Sequence, residues 1–315
     1  GGLRGKGLMT LVLLPFKLSR ALLQTIRIYL QLKPDVVLGM GGFVSGPGGI
    51  VAWLMRKPLV LHEQNAIAGL TNKLLFKLAT KVYAAFPGAF AAHNKLTVIG
   101  NPVREEITQS ELPEQRLMNK WAQTDGKQLN ILLVGGSLGA AALNEVVPQA
   151  LMLLAQGEAL EKSAFDKITI CHQCGAEQLH QTEEHYQQLL KKDDLIKVVI
   201  MPFIDDMAKS YIWADLVICR SGALTISEIA AVGVASILVP FPYAVDDHQT
   251  ANGAFLVDHN AAFLIQQNDL NAQKLAQLLI SLTQDQLLIM ARNARQQAIE
   301  NAAETIAEQC MRLAG

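Results

Sequence analysis

Carboxylates are missing from the first 34 positions of this sequence, while six cations fall there: Arg4, Lys6, Lys17, Arg20, Arg27 and Lys33. The first acid is Asp35, and the other 21 of 27 cations face all 28 acids, so the rest of the chain carries a net −7. Such asymmetry turns one end towards something anionic, a membrane surface or a nucleic acid. Charge is scarce overall, at 17% of residues against 50% hydrophobic, which excludes wholesale disorder and leaves material for two packed cores. Cysteine is scarce too. Four in 315 residues make no disulfide framework and fit a reducing compartment. Cys171-His172-Gln173-Cys174 matches C-x-x-C, but no second ligand pair follows at zinc spacing. That favours two small apolar residues at a strand end over a metal or redox site. Long apolar runs are lacking as well. Leu8–Phe16 has no small-residue cleavage site, is too short to span a bilayer and is interrupted by Pro15. The chain opens Gly-Gly without an initiator Met, which points to a natural start further upstream.

What is present is a regular alternation. Short apolar segments at 35–38, 58–61, 81–85, 96–99, 130–134, 167–171, 197–201, 215–218, 236–239 and 262–265 read as strands, with helical stretches between most of them. Several are continuously apolar, as parallel strands buried on both faces are. The rhythm predicts a doubly wound α/β fold. It breaks at the polar stretch 105–128, so residues 1–104 form one domain and 105–300 a second. The final helix, 301–315, is expected to pack back on the first domain. Ligands of such sheets lie at the carboxyl ends of the strands, and two sheets facing each other would enclose a cleft.

The loops at those ends are rich in Gly, Ser, Asn and charge. Gly39–Gly49 holds six glycines, more than one turn needs, and is read as a loop where backbone N–H groups approach a ligand; close packing is the alternative. Gly135-Gly136-Ser137-Leu138-Gly139 follows a strand and opens a helix, a phosphate cradle or an ordinary N-cap. His62-Glu63-Gln64-Asn65 offers titratable and amide groups, or a helix-capping turn with a satisfied core histidine. Arg220–Glu228 enters a helix whose first N–H groups suit a pyrophosphate, with Glu228 one turn further in for a pair of hydroxyls. Thr225-x-x-Glu228 also scans as a capping box. Asp246-Asp247-His248-Gln249 invites a metal reading, but no other ligand is regularly spaced to it; Gln249 and Asn252 suit neutral hydroxyls instead.

Taken in order, these loops resemble the MurG family of glycosyltransferases. The likeness rests on GLRGKG (2–7), GMGGFVSGPGG (39–49), HEQNAIAGLTNK (62–73), AFPGAF (85–90), GNPVR (100–104), GGSLGA (135–140), FIDDM (203–207), RSGALTISEIAA (220–231) and HQ-x-x-N (248–252), spread over essentially the whole chain. The resemblance implies a glycosyltransferase B fold, two Rossmann-like domains facing across a cleft. It implies inverting transfer of N-acetylglucosamine (GlcNAc) from UDP-GlcNAc to an undecaprenyl-diphosphate-linked acceptor (lipid I), giving lipid II in peptidoglycan synthesis. The site would be peripheral, on the cytoplasmic face of the inner membrane, against an anionic lipid surface and without nucleic acid. Arg104, Phe203 and the Ile204 backbone would hold uracil, and Glu228 the ribose. Ser137 and the turn Ser221, Ala223, Leu224, Thr225 would meet the diphosphate. Asn65, Gln249 and His248 would contact the sugar, with His62 and Glu63 near the reacting centre. No metal or cofactor is implied, since helix N-termini can stabilise the leaving group. The family's opening strand and GGTGGH loop have no counterpart from position 1 onward, so the resemblance implies donor binding without transfer for residues 1–315. A UDP-GlcNAc 2-epimerase, or a non-catalytic membrane-surface subunit that binds UDP-sugars, are the alternatives; the basic apolar start argues against the first.

Overall fold

The computed structural model describes residues 8–124, 127–136, 140–156, 163–190 and 195–315, except for the side chains of residues 8–14. The elements run α1 (Leu8–Leu32), β1 (Val37–Gly39), α2 (Gly42–Leu54), β2 (Leu59–Glu63), α3 (Leu70–Leu75), β3 (Lys81–Ala84) and β4 (Leu96–Val98). They continue α4 (Glu105–Thr108), α5 (Pro113–Ala122), β5 (Gln128–Val134), α6 (Ala141–Ala155), β6 (Lys167–Gln173), α7 (Leu179–Leu189), β7 (Ile196–Met201) and α8 (Met207–Trp213). Then follow β8 (Leu216–Cys219), α9 (Ala223–Val232), β9 (Ala235–Leu238), α10 (His248–Val257), β10 (Ala262–Leu264), α11 (Ala272–Ser281), α12 (Gln284–Gln296) and α13 (Ala302–Ala314). Residues 1–102 with 299–315 form one compact unit and 103–298 another. Arg104, at the end of the first domain in the sequence boundary, therefore lies in the second unit, which begins at Val103.

Each of the ten apolar segments is a strand, and every strand pairing among the described residues is parallel. In the first unit the order is β1-β2-β3-β4. Alternation along β2 and β3 sorts the core by face. Leu59, Leu61 and Val82 pack with Leu75 and Ala79 on one side. Val60 and Tyr83 pack with Ile99, Ala302 and Ile306 on the other, so α13 closes that face. Two expectations need correcting here. The glycine-rich stretch 39–49 is mostly helix, not loop, because α2 begins at Gly42. Within it Gly49 is a packing glycine: a Cβ there would stand 2.7 Å from a Leu75 methyl. Nor does Pro15 end the apolar run, for α1 continues through it. Among the described residues no helix is long and apolar enough to cross a membrane.

In the second unit the order is β10-β9-β8-β5-β6-β7. The chain starts in the centre at β5, winds outward through β6 and β7, returns to the other side of β5 as β8, and winds outward again. The direction reverses between β5 and β8, the switch point where such sheets open a crevice. One large core of Leu, Ile and Val from β5, β6, β8 and β9 lies under α6, α11 and α12. Side chains of α5 fix the elements around the switch. Arg116 donates to the carbonyls of Val232 (2.8 Å) and Gly233 (2.6 Å), at the negative end of α9. Lys120 pairs with buried Asp215 at 2.7 Å, and Asp215 accepts from the Asn130 amide at 2.7 Å. The start of β8 is thereby tied to β5.

Candidate functional site

A cavity of about 570 Å³ opens at the switch point. Its walls come from the carboxyl ends of β5 (Val134 to Gly136) and β8 (Cys219, Arg220, Gly222), with Thr225, Gln249 and Gln267. The first turn of α9 faces it. Gly222 is the N-cap, in extended conformation, and no side chain caps this end. The positive pole of a ten-residue helix thus meets the cavity without an internal carboxylate to answer it. Thr225 is the third residue of the helix, not its cap, so the capping box read from Thr225-x-x-Glu228 does not form. Ser221 is fully buried beneath the turn, its carbonyl accepting from Asn252 at 3.2 Å and its Oγ without a partner. Leu224 is exposed. Ser137 lies outside the described residues.

Arg220, which follows β8 directly and opens the Arg220–Glu228 motif, also lines this cavity. Its guanidinium is largely occupied. Nη1 donates to Val239 and Pro240 carbonyls, both at 3.1 Å, and Nη2 to Gln267 Oε1 at 2.6 Å. It stands over the Phe241 ring at 5.6 Å. Its role here is a positive, fixed wall that holds the loop after β9. Gln249 Oε1 accepts from the Phe241 amide at 2.8 Å, which leaves its amide nitrogen as the donor for a ligand.

A second group of predicted residues sits on the flank of α9 that meets α4 and α8. Glu228 is half-buried, and one oxygen accepts from the hydroxyl of fully buried Tyr211 at 3.0 Å. The other stands 3.7 Å from Arg104 Nη2, an ion pair too long for a good hydrogen bond. Burial raises the Glu228 pKa, opposed by the Tyr211 hydroxyl and by Arg104. Phe203 (exposed) and Ile204 (buried) link β7 to α8. Asp206 caps α8 by accepting from the Lys209 amide at 2.9 Å. Arg104 and Glu228 thus pair beside α9, and Thr225, one turn earlier on the same helix, lines the cavity together with Gln249. Tyr211 is the partner of Glu228 that no spacing marked.

In the first unit His62 and Glu63 are not in a loop; β2 runs through them, and both are buried. Glu63 accepts four hydrogen bonds. Oε1 takes the Asn65 amide (3.0 Å) and Nδ2 (3.3 Å); Oε2 takes the Gly69 amide (3.0 Å) and Asn72 Nδ2 (2.9 Å). Its geometry is that of a hub for the turn 63–72. His62 Nε2 donates to the Gly100 carbonyl at 2.9 Å, and burial lowers its pKa. The imidazole is held neutral in that tautomer. Asn65, on the same turn, is only half-buried.

The C-x-x-C stretch lies at the end of β6. Cys171 and Cys174 are free, and burial raises both thiol pKa values, so neither is poised as a nucleophile. Between them His172 is fully buried, bonded to Asn144 Oδ1 and the Tyr186 hydroxyl at 2.9 Å each. Among the described residues no grouping of three or more His, Cys, Asp or Glu could hold a metal ion.

Comparison with known proteins bears on what this arrangement is. Residues 1–84 match the Glycosyltransferase family 28 N-terminal domain and 130–309 the Glycosyltransferase family 28 C-terminal domain. A UDP-N-acetylglucosamine--N-acetylmuramyl-(pentapeptide) pyrophosphoryl-undecaprenol N-acetylglucosamine transferase of Burkholderia ambifaria is 52% identical over the whole chain and 81% of its own length. The enzyme of the same name from Burkholderia mallei is 51% identical over the same shares. The crystal structure of MurG from Acinetobacter baumannii superposes with a TM-score of 0.81 at 41% identity, over 95% of this chain and 79% of that one. With two parallel-sheet domains of the glycosyltransferase B type and a crevice at the switch point of the second, the chain belongs to glycosyltransferase family 28 and, within it, to the MurG family of glycosyltransferases.

Proposed function

We propose that this protein transfers GlcNAc from UDP-GlcNAc to the undecaprenyl-diphosphate-linked MurNAc-pentapeptide, lipid I, giving lipid II. The observation that carries the reading is the cavity at the β5–β8 switch point with the uncapped first turn of α9 on its wall. A diphosphate placed there meets the helix dipole and the amides of Ser221 to Thr225. As the sugar–phosphate bond breaks, negative charge grows on the departing UDP, and the same dipole stabilises it in place of a metal. Glu228, with acceptor capacity left on the oxygen nearer Arg104, takes the ribose hydroxyls. Arg104, Phe203 and Ile204 take the uracil, and Gln249 the sugar. Ser137 is assigned to the diphosphate on sequence alone. Asn65, His62 and Glu63 are the first unit's candidates for sugar and reacting centre. Of these, half-buried Asn65 suits direct contact better than Glu63, whose oxygens are already engaged.

The lipid substrate requires a membrane surface, and α1 supports one. Phe16, Leu23, Leu30 and Leu32 are exposed beside Lys17, Arg20 and Arg27. Exposed apolar side chains among cations form the monotopic pattern; Arg4 and Lys6 lie outside the described residues. The protein would act as a peripheral enzyme on the cytoplasmic, anionic face of the inner membrane. With the family's opening strand and GGTGGH loop present, incubation with UDP-GlcNAc and a lipid I analogue should release UDP and form the disaccharide product. Formation of UDP-ManNAc without acceptor would favour the epimerase reading. UDP binding with no turnover at all would favour the non-catalytic one.

A further inference from the structure

Gln173 ends β6 inside the C-x-x-C stretch, 3% exposed, and every hydrogen-bonding group of its side chain is in use. Oε1 accepts from the Gly136 amide at 3.0 Å. Nε2 donates to the Gly136 carbonyl at 3.0 Å and to the Pro202 carbonyl at 3.0 Å. The backbone around it continues the same pattern: the Gly135 amide donates to the Gln173 carbonyl at 3.1 Å, and the Cys174 amide to the Met201 carbonyl at 3.1 Å. Val134, Gln173 and Met201 are in register across β5, β6 and β7. The side-chain amide therefore acts as one more peptide unit, extending the ladder past the ends of two neighbouring strands at once.

Two consequences follow. Both amides of Gly135 and Gly136 are spent on Gln173, so neither serves as an anion donor. Gly136 has φ +83°, the left-handed region in which a residue with a Cβ is strained, so its turn is shaped to present amide and carbonyl together to Gln173. And the glycine turn, which walls the switch-point cavity, is tied through a single side chain to Pro202, the residue before Phe203 and Ile204.

Resting on the reading that this unit binds the UDP moiety, we propose that Gln173 is a positioning residue that fixes the spacing between the diphosphate end of the site, at the Gly135–Gly136 turn, and the base end, at Pro202–Ile204. A ligand that spans both ends depends on that spacing. A ligand that occupies one end does not.

The test compares UDP with uridine on the full chain. Gln173→Met keeps length and volume and removes all three side-chain bonds. Affinities are measured by calorimetry for UDP and by ligand-observed NMR for uridine, well below the melting temperature of each protein. UDP affinity should fall about tenfold, the scale of losing one to two buried hydrogen bonds, while uridine affinity changes less than about twofold. General destabilisation would lower the folded fraction and weaken both ligands alike. Equal losses for the two ligands, or none for either, would overturn the proposal. Should Gln173→Met fail to fold, Gln173→Asn keeps the amide but withdraws it by one methylene from Gly136 and Pro202, adds no charge beside the diphosphate and carries the same comparison. Wild-type chain that binds UDP beside variants that bind it equally well refutes Gln173 alone. Wild-type chain that binds no UDP refutes the nucleotide reading and the proposal with it.

Discussion

Two carboxylates, one in each unit, have surroundings that differ in kind: Glu63 ends the central strand β2, and Glu228 lies within α9, the helix that follows β8. Glu63 receives four N–H donors on its two oxygens. Glu228 receives one hydroxyl, and its other oxygen has a loosely held Arg104 at 3.7 Å. A buried carboxylate with every acceptor position answered organises its loop and has nothing left to offer a substrate. One with a single firm donor is held in orientation and keeps lone pairs for a ligand. The sequence marks both as polar residues in motifs that follow apolar strands; the count of their partners is what sets them apart.

The largest test of that contrast is Glu63→Ala. It removes the shared acceptor of the Asn65 and Gly69 amides and of buried Asn72 Nδ2, and should cost about 3 kcal/mol of the first unit's stability. Denaturation followed by calorimetry checks it. A variant that melts like wild type yet has lost transfer would return Glu63 to the reacting centre. Glu228→Ala should weaken UDP binding by about 2 kcal/mol and cost stability less, about 1 kcal/mol, since it leaves only the Tyr211 hydroxyl without its partner. Unchanged UDP affinity, measured by titration calorimetry, would remove the ribose role.

His172 extends the contrast into the second unit, as a closed cluster there. Both ring nitrogens are bonded, and burial pulls its pKa down to about 3. The unfolded chain takes up a proton near pH 6.5 that the folded one refuses. Stability from this group is therefore full above about pH 6.5 and declines as pH falls towards 3. At pH 5.5 the loss should be about 1.4 kcal/mol. His62, also held neutral by burial, adds a term of the same sign in the first unit. Denaturation curves between pH 7.5 and 5 should show a slope that His172→Gln flattens; an identical slope in that variant would mean the acid lability lies elsewhere.

Much of the fold was legible because parallel strands buried on both faces write themselves as apolar runs. All ten segments are strands, with ends that move by a residue or two. Those small shifts matter to function: β2 absorbs His62 and Glu63, and β6 absorbs His172 and Gln173. The switch-point loops were legible too, since the order of strands and the rule for ligand placement point to them. What spacing could not give was pairing across elements. Tyr211 meets Glu228 only because α8 packs on α9, and nothing local in either segment announces it. Nor did C-x-x-C reveal that the residues between its cysteines matter more than the cysteines. The capping box at Thr225 failed because the helix starts three residues earlier, at a Gly222 cap that leaves Thr225 inside.

The smallest effect is also the most specific. Tyr211 is fully buried, and its hydroxyl donates to Glu228 at 3.0 Å. Tyr211→Phe keeps the ring in the core and removes that one bond. UDP affinity at neutral pH should fall by about 1 kcal/mol, because Glu228 loses the donor that orients it. A second consequence separates this from a packing defect. Burial raises the Glu228 pKa and the tyrosine hydroxyl lowers it, so removing the hydroxyl raises the pKa further. In the proposed ribose role the charged carboxylate is the stronger acceptor for the hydroxyls. UDP binding should then weaken at a higher pH in Tyr211→Phe than in wild type as the solution is acidified. In Glu228→Ala this carboxylate's contribution to the acid limb should vanish. Titrations at several pH values between 7.5 and 4.5 give the three profiles. An affinity loss in Tyr211→Phe that is the same at every pH would show that the hydroxyl supports the helix pair and not the charge of Glu228.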